Sequence, residues 1–229
     1  MTPIVYSHRD GFQQRPFALP DGATEILLVR HGASQNLEEG KLFELHEGHG
    51  NPHLSPEGEA QAQLIGKRLE NEKPDKLFVT PLRRTHETAA PFVASTGMSY
   101  TIIPELIEVY LGEWEGGEFR RRSAAGDPIA LKIFDEQRWD VIPGAEPAED
   151  FAKRIRAGID RIVAETGPNA TAAAVLHGAA IGEVCRQATD SRRLAFVHSD
   201  NASVSRLIIY EDGRWMLRSF NDISHLSAG

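Results

Sequence analysis

The 229-residue chain has a single cysteine, Cys185. That excludes an intrachain disulfide framework and a zinc site built on cysteines. A basic excess is also missing: 25 Lys and Arg stand against 33 Asp and Glu, a formal charge of −8. Broad binding to nucleic acid or to an anionic membrane needs a basic footprint, so neither is expected as a partner. No apolar run approaches the roughly 18–20 residues that cross a bilayer as a helix. Residues 1–22, MTPIVYSHRDGFQQRPFALPDG, lack a basic segment followed by an apolar one, so no secretory signal is expected. Apolar residues make up 41% and charged residues 25%. This is an ordinary globular balance that can supply a sizeable core. A soluble cytoplasmic protein is the expectation. The charge leaves a question: how would an acidic chain hold an acidic ligand?

Residues 1–23 are polar, carry Pro3, Pro16 and Pro20, and read as an N-terminal extension. The remainder, 24–229, reads as one domain. Glu25–Arg30 (EILLVR) is a short apolar run that suits a strand buried on both faces. A loop rich in Gly, His and Asn follows from Gly32 to His53. A helix begins at Ser55, a good N-cap, with Pro56 at the first helical position. Lys76–Thr80 reads as a strand, Leu82–Ala94 as a helix and Tyr100–Ile103 as a strand. Pro104–Ala148 is the least regular stretch. Glu149–Glu165 is helical, with Phe151, Ile155, Ile159 and Ile162 on one side. Thr171–Leu176 is a strand and Ala179–Ala188 a helix. Val204–Tyr210 and Trp215–Phe220 form a hairpin around Glu211-Asp212-Gly213. Strands alternating with helices imply an α/β fold: a three-layer α/β/α sandwich whose central sheet is mostly parallel. The final hairpin makes that sheet mixed.

Three chemical features follow predicted strands. Arg30-His31-Gly32 follows the first, Thr80 and Arg84 the second, and His177-Gly178 follows TAAAVL. Open parallel sheets bind ligands beyond the carboxyl ends of their strands. Two histidines and two arginines, remote in sequence, therefore converge on one crevice. Arginine forks bind phosphate oxygens bidentately. A neutral imidazole can attack phosphorus, and nearby positive charge keeps it neutral. Glycines beside both histidines let backbone N–H groups approach a phosphate. Alone, a His beside Gly is more often structural, an Arg pair on a helix is usually a solvated face, and a strand-end Arg-His-Gly suits either role. Together they suit phosphoryl transfer through a phosphohistidine, with no metal and no cofactor.

The string LLVRHGAS (27–34) resembles the signature of the histidine phosphatase superfamily, the phosphoglycerate mutase-like family. Further segments match in the family's order: HLSPEGEAQAQLIGKRL (53–69), TPLRRTHETAAPF (80–92), ELIEVYLGEWEG (105–116), PGAEPAEDFAKRI (143–155), the VLHGAA segment around His177, and NASVSRL (201–207). The resemblance covers about residues 24–226 and implies roles. His31 would be the nucleophile that becomes phosphorylated. Arg30, Arg84 and His177 would bind the phosphoryl group. Glu108 would protonate the leaving oxygen and then activate water. The resemblance alone selects Glu108 over Glu105 or Glu113. Ser34, Asn36 and Gly178 are further expected pocket contacts. Family members often carry Asn six residues after the nucleophile, whereas Leu37 stands there, one residue beyond Asn36. Glu47-Gly48 stands where mutases tend to have Thr-Gly.

Only about thirty residues separate Trp114 from Pro143, and family mutases carry a longer insertion there. Hydrolysis of a small phosphomonoester is therefore favoured. The alternatives are mutase-type transfer and a non-catalytic phospholigand-binding protein on the same fold. The run Arg120-Arg121-Arg122 could select an extra anionic group or form a solvated face. His46, His49 and His53 form a rival metal cluster or a pocket-rim loop. His8, His86 and His198 read as structural or surface residues, and His225 as a packing or capping residue. Cys185 reads as small and buried. Trp114 and Trp139 read as pocket lining or as core. A homodimer is left open.

Overall fold

The structure, a computed structural model, describes residues 16–227. Most of the expected extension, with Pro3 and His8, lies outside the described residues. Residues 16–23 contain a turn at Asp21–Gly22 and no helix or strand.

Along the chain come β1 (Thr24–Arg30), the short ribbon β2 (Leu45–His46) and β3 (His49–Gly50), α1 (Pro56–Glu72), β4 (Lys76–Val79), α2 (Arg83–Thr96) and β5 (Tyr100–Ile102). Then follow α3 (Glu118–Ala124), α4 (Pro128–Glu136), α5 (Ala148–Thr166), β6 (Ala170–Leu176), α6 (Gly178–Thr189), β7 (Val204–Ile209) and β8 (Trp215–Asp222). The main sheet has the order β5-β4-β6-β1-β7-β8. β5, β4, β6 and β1 run parallel, β7 lies antiparallel to β1, and β8 returns antiparallel to β7.

The two-residue alternation of a strand divides β1 between two cores. Ile26 and Leu28 face a cluster with Ile155 and Ile159 of α5 and Ile181 and Val184 of α6. Leu27 and Val29 face Ile65 and Leu69 of α1 and Phe92 of α2. The sheet is thus covered on both faces, as the apolar run EILLVR implied. Truncating one of these buried leucines to alanine costs about 2–5 kcal/mol.

Local signals account for the helix ends. Ser55 accepts the Gly58 N–H at 3.1 Å, and Pro56 occupies the first position of α1. Gly58 has a further task. A Cβ there would lie 1.9 Å from the Ala33 carbonyl oxygen, because the loop leaving β1 crosses α1 at this point. The Ser55 N–H donates to that same carbonyl at 2.9 Å. The glycine therefore lets the segment after His31 seat directly on α1.

Two stretches differ from the sequence reading. Within 104–148 the chain forms α3 and α4. Asp127 caps α4 by accepting the Ile129 N–H at 2.9 Å, and Pro128 takes its first position. That Asp-Pro start was legible, but it follows Gly126 within a stretch read as irregular. Both helices pack beside a satellite core of Trp114, Ala130, Ile133 and Ile142. The Gly32–His53 loop is also less irregular than expected. Glu47 and Gly48, at φ 48° and 85°, make the two-residue turn that joins β2 to β3, and such turns require positive φ at both positions. Among the described residues, no helix is long and apolar enough to cross a membrane.

Candidate active site

Because β1, β4 and β6 are parallel neighbours, their carboxyl ends open on one side. Arg30 ends β1 and His31 follows it. Thr80 follows β4, and Arg84 lies in the first turn of α2. His177 is the N-cap residue of α6. The His31 N–H donates to the Leu176 carbonyl at 3.0 Å, tying the end of β1 to the end of β6. The rings of His31 and His177 lie 5.3 Å apart, edge to face at 61°. Arg30, His31, Ser34, Arg84, Glu108 and Gly178 line one cleft of about 480 Å³. His177 is fully buried beside it.

His31 is 7% exposed. Its Nδ1 lies 2.7 Å from the Gly32 carbonyl oxygen, and its Nε2 accepts Nε–H of Arg84 at 3.2 Å. Arg84 also donates to the Gly50 carbonyl at 2.9 Å. Burial, then the charges of Arg84 and Arg30, hold the His31 pKa well below its ordinary 6.5. Burial pulls Arg84 down to about 10, with Glu108 opposing. His177 is lowered in the same way, first by burial and then by Arg84. Its Nε2 lies 2.8 Å from the Thr80 hydroxyl. Its Nδ1 is buried and has no partner among the described residues.

Arg30 donates to the Ser199 carbonyl, and its Nε is buried without a partner among the described residues. A Cβ at Gly178 would lie 3.4 Å from that Nε, so a glycine there keeps the space beside the guanidinium open. Glu108 sits at the start of α6. Its carboxylate oxygens accept the N–H groups of Ala179 and Ala180, each at 3.2 Å. Its backbone is held by Arg154 of α5, which donates to the carbonyls of Glu105, Ile107 and Glu108 at 2.9, 2.7 and 2.9 Å. Arg154 also forks onto Glu146 at 2.7 and 2.8 Å. Arg154 was not singled out from sequence. It stands in the segment PGAEPAEDFAKRI, where a cation between the apolar Phe151 and Ile155 was the available signal.

Ser34 lines the cleft, but its hydroxyl accepts from Arg120 at 2.7 Å. Asn36 is a correction. It is exposed and lines outer grooves with Leu37 and Lys41, not the cleft. After Ser34 bridges to Leu54 and the Gln35 N–H donates to the His53 carbonyl, the chain turns outward into solvent. The arginine run is split. Arg121 and Arg122 pair with Glu118 of their own helix, while Arg120 lines the cleft and donates to Ser34 and to the Gln35 carbonyl.

His46, His49 and His53 do not share a site. His46 is exposed, His49 packs edge-on against Tyr110, and His53 bonds Glu87 and Arg83. Among the described residues, no group of three His, Cys, Asp or Glu side chains is arranged to hold a metal ion. Glu47 is exposed at the ribbon turn. His225 donates from Nε2 to the Ala202 carbonyl at 3.0 Å, and Cys185 is buried. Trp114 is core, and both it and Trp139 also border the cleft.

A model of the histidine phosphatase superfamily (branch 1) matches residues 26–223. The bifunctional protein Rv2228c of Mycobacterium tuberculosis is 30% identical over 206 residues, which cover 89% of this chain and 55% of that protein. The chain thus spans about half the length of that relative. The metal-independent phosphoserine phosphatase of Arabidopsis thaliana is 29% identical over 213 residues, 90% of this chain and 84% of its own. A crystal structure of phosphoglycerate mutase from Bacillus anthracis matches with a TM-score of 0.74 at 22% identity, covering 90% of this chain and 96% of that one. The last likeness shows a shared fold. With the family model spanning the sheet and every strand-end residue of the cleft, the chain belongs to the histidine phosphatase superfamily, branch 1.

Proposed function

We propose that the chain hydrolyses a small phosphomonoester through a phosphohistidine on His31, without a metal. The observation that carries this reading is the state of the His31 ring. Its Nδ1 faces a carbonyl, which only accepts, and its Nε2 faces a guanidinium, which only donates. The Nε2 lone pair is therefore the one free to attack phosphorus.

In the first half-reaction Nε2 forms a bond to phosphorus and the ester P–O bond breaks. Glu108 gives its proton to the departing alkoxide. Arg30 and Arg84 neutralise charge on the phosphoryl oxygens, with Arg84 shifting its N–H from Nε2 to oxygen as the substrate enters. His177 offers its unpartnered Nδ1 as a further donor when its Nε2 accepts the Thr80 hydroxyl. In the second half-reaction water attacks phosphorus and gives a proton to Glu108. The P–N bond breaks, its electron pair returns to Nε2, and inorganic phosphate leaves. The short α3–α4 cap favours water as acceptor, because the longer insertion that family mutases carry after Trp114 is lacking.

The test is hydrolysis of p-nitrophenyl phosphate in EDTA, with phosphate labelling of the protein. Activity and an acid-labile label are expected for the native chain and neither for His31→Ala. Loss of activity to chelator, or an active His31→Ala protein, would sink the mechanism. Interconversion of 3- and 2-phosphoglycerate with a bisphosphate primer, faster than hydrolysis, would replace it by the mutase reading.

A further inference from the structure

Besides Arg30, His31 and Arg84, proposed to hold the phosphoryl group, rings line the same cleft. Phe43, Phe119, Phe134 and Trp139 line it, with Trp114 buried behind. Three of the rings, Trp114, Phe119 and Trp139, are connected. Trp114 and Phe119 have centroids 6.2 Å apart, and Phe119 and Trp139 5.8 Å apart at 67°. Phe134, on α4, is 45% exposed. Its ring is stacked on His198 at 5.9 Å and 22°. A large apolar ring exposed at a cleft mouth loses hydrophobic free energy unless a ligand covers it. One face is held by His198, which orients the other.

Several polar side chains of the cleft are already engaged, while Ser199 Oγ and His49 Nε2 are buried without a partner among the described residues. Ser34 accepts from Arg120. Glu115 accepts the N–H groups of Gly50 at 2.7 Å and Leu111 at 3.0 Å. Asn201 donates to the His31 carbonyl at 3.0 Å. Ser34, Glu115 and the Asn201 amide N–H are therefore not free to match the hydroxyls or amine of a small polar leaving group. The volume agrees: about 480 Å³ falls in the range of roughly 300–1,000 Å³ that holds a drug-sized ligand. A phosphoamino acid fills a small part of it.

We infer that the preferred phosphomonoester carries an extended aromatic ring system on its alcohol, lying against Phe43, Phe119, Phe134 and Trp139. This rests on the phosphomonoester reading of the same cleft. The substrate class is then an aryl-bearing alkyl phosphate rather than a phosphoamino acid or a phosphoglycerate. The phosphate is fixed by the arginines and the rest by ring contact, which is how an acidic chain can take an anionic substrate without long-range attraction.

The experiment compares kcat/KM for 2-(1-naphthyl)ethyl phosphate, ethyl phosphate and O-phosphoserine, all esters of primary alcohols. A preference of about tenfold or more for the naphthyl ester is expected. Phe134→Ala should narrow that ratio to about threefold or less. Because Phe134 is exposed, this variant is expected to fold, which circular dichroism checks. Equal kcat/KM values, preference for phosphoserine, or an unchanged ratio in Phe134→Ala would overturn the inference. Calorimetry with 2-(1-naphthyl)ethylphosphonate and ethylphosphonate separates binding from turnover. If no ester is hydrolysed but the naphthyl phosphonate binds about tenfold tighter and Phe134→Ala removes the difference, the inference stands and hydrolysis fails. Equal phosphonate affinities would sink the inference whatever the turnover.

Discussion

Arg84 donates its Nε–H to Nε2 of His31 at 3.2 Å, on the opposite side of the ring from the Nδ1 contact with the Gly32 carbonyl. The pair fixes the tautomer, and the guanidinium charge opposes protonation of the nitrogen it faces. His177 lies in the same field.

A stability consequence follows from the sign of these shifts. Both histidines hold pKa values well below 6.5 in the folded chain, while the unfolded chain protonates them near 6.5. Below that pH the unfolded state binds more protons, so stability falls as pH drops from 6.5 toward the folded values. Two such groups give a slope of up to about 2.7 kcal/mol per pH unit. Urea unfolding at pH 7.5 and pH 5.5 should therefore differ by about 2–3 kcal/mol. The His31→Asn, His177→Asn double variant should lose most of that difference. An unchanged pH dependence in the double variant would show that neither histidine is perturbed.

Thr80 supports His177. Its hydroxyl lies 2.8 Å from Nε2, and Nδ1 has no partner among the described residues. Thr80→Val strands a buried ring nitrogen, at a cost of about 1–3 kcal/mol. It should also lower kcat about tenfold, and Thr80→Ser should restore both. Failure of the serine variant to rescue would mean that the methyl group, not the hydroxyl, matters.

Arg154 is a positioning residue for Glu108. It grips the carbonyls of Glu105, Ile107 and Glu108 and is itself anchored on Glu146. Arg154→Met should slow ethyl phosphate about tenfold more than p-nitrophenyl phosphate, because only the alkoxide needs a proton delivered. Glu108→Gln should show the same bias. Equal losses on both esters would assign Arg154 to folding alone.

Arg120 differs from its neighbours. Arg121 and Arg122 pair with Glu118, whereas Arg120 reaches across the cleft to Ser34. Arg120→Ala should raise KM for phosphomonoesters about tenfold to a hundredfold, as expected for loss of a hydrogen bond to a charged group. Arg121→Ala and Arg122→Ala should leave KM unchanged. A common effect of all three would reduce the run to general surface charge.

Much of the scaffold was legible because its signals are local. Ser55-Pro56 started a helix, EILLVR was buried on both faces, and alternating strands and helices required a covered parallel sheet. The placement of His31, Arg84 and His177 followed from one rule, since the ends of parallel strands share a side. Helices α3 and α4 were less legible, because Gly126-Asp127-Pro128 reads equally well as a turn in a loop.

What the sequence by itself determined was which residues could reach the cleft. Which of them do, and in what state, was decided by tertiary contacts. Arg120 and Asn36 have similar claims in sequence. Only the turn after Ser34 sends Asn36 to solvent, and only the direction of α3 sends Arg120 inward while Glu118 holds Arg121 and Arg122. Glu108 stands among several acids, and its place at α6 depends on Arg154, 46 residues away. The His31 proton sits on Nδ1 because a carbonyl of the next residue and a guanidinium 53 residues away face the two sides of the ring. A side chain's direction and protonation follow from what surrounds it in space, and the acidic exterior of this chain carries no trace of the positive pocket those contacts create.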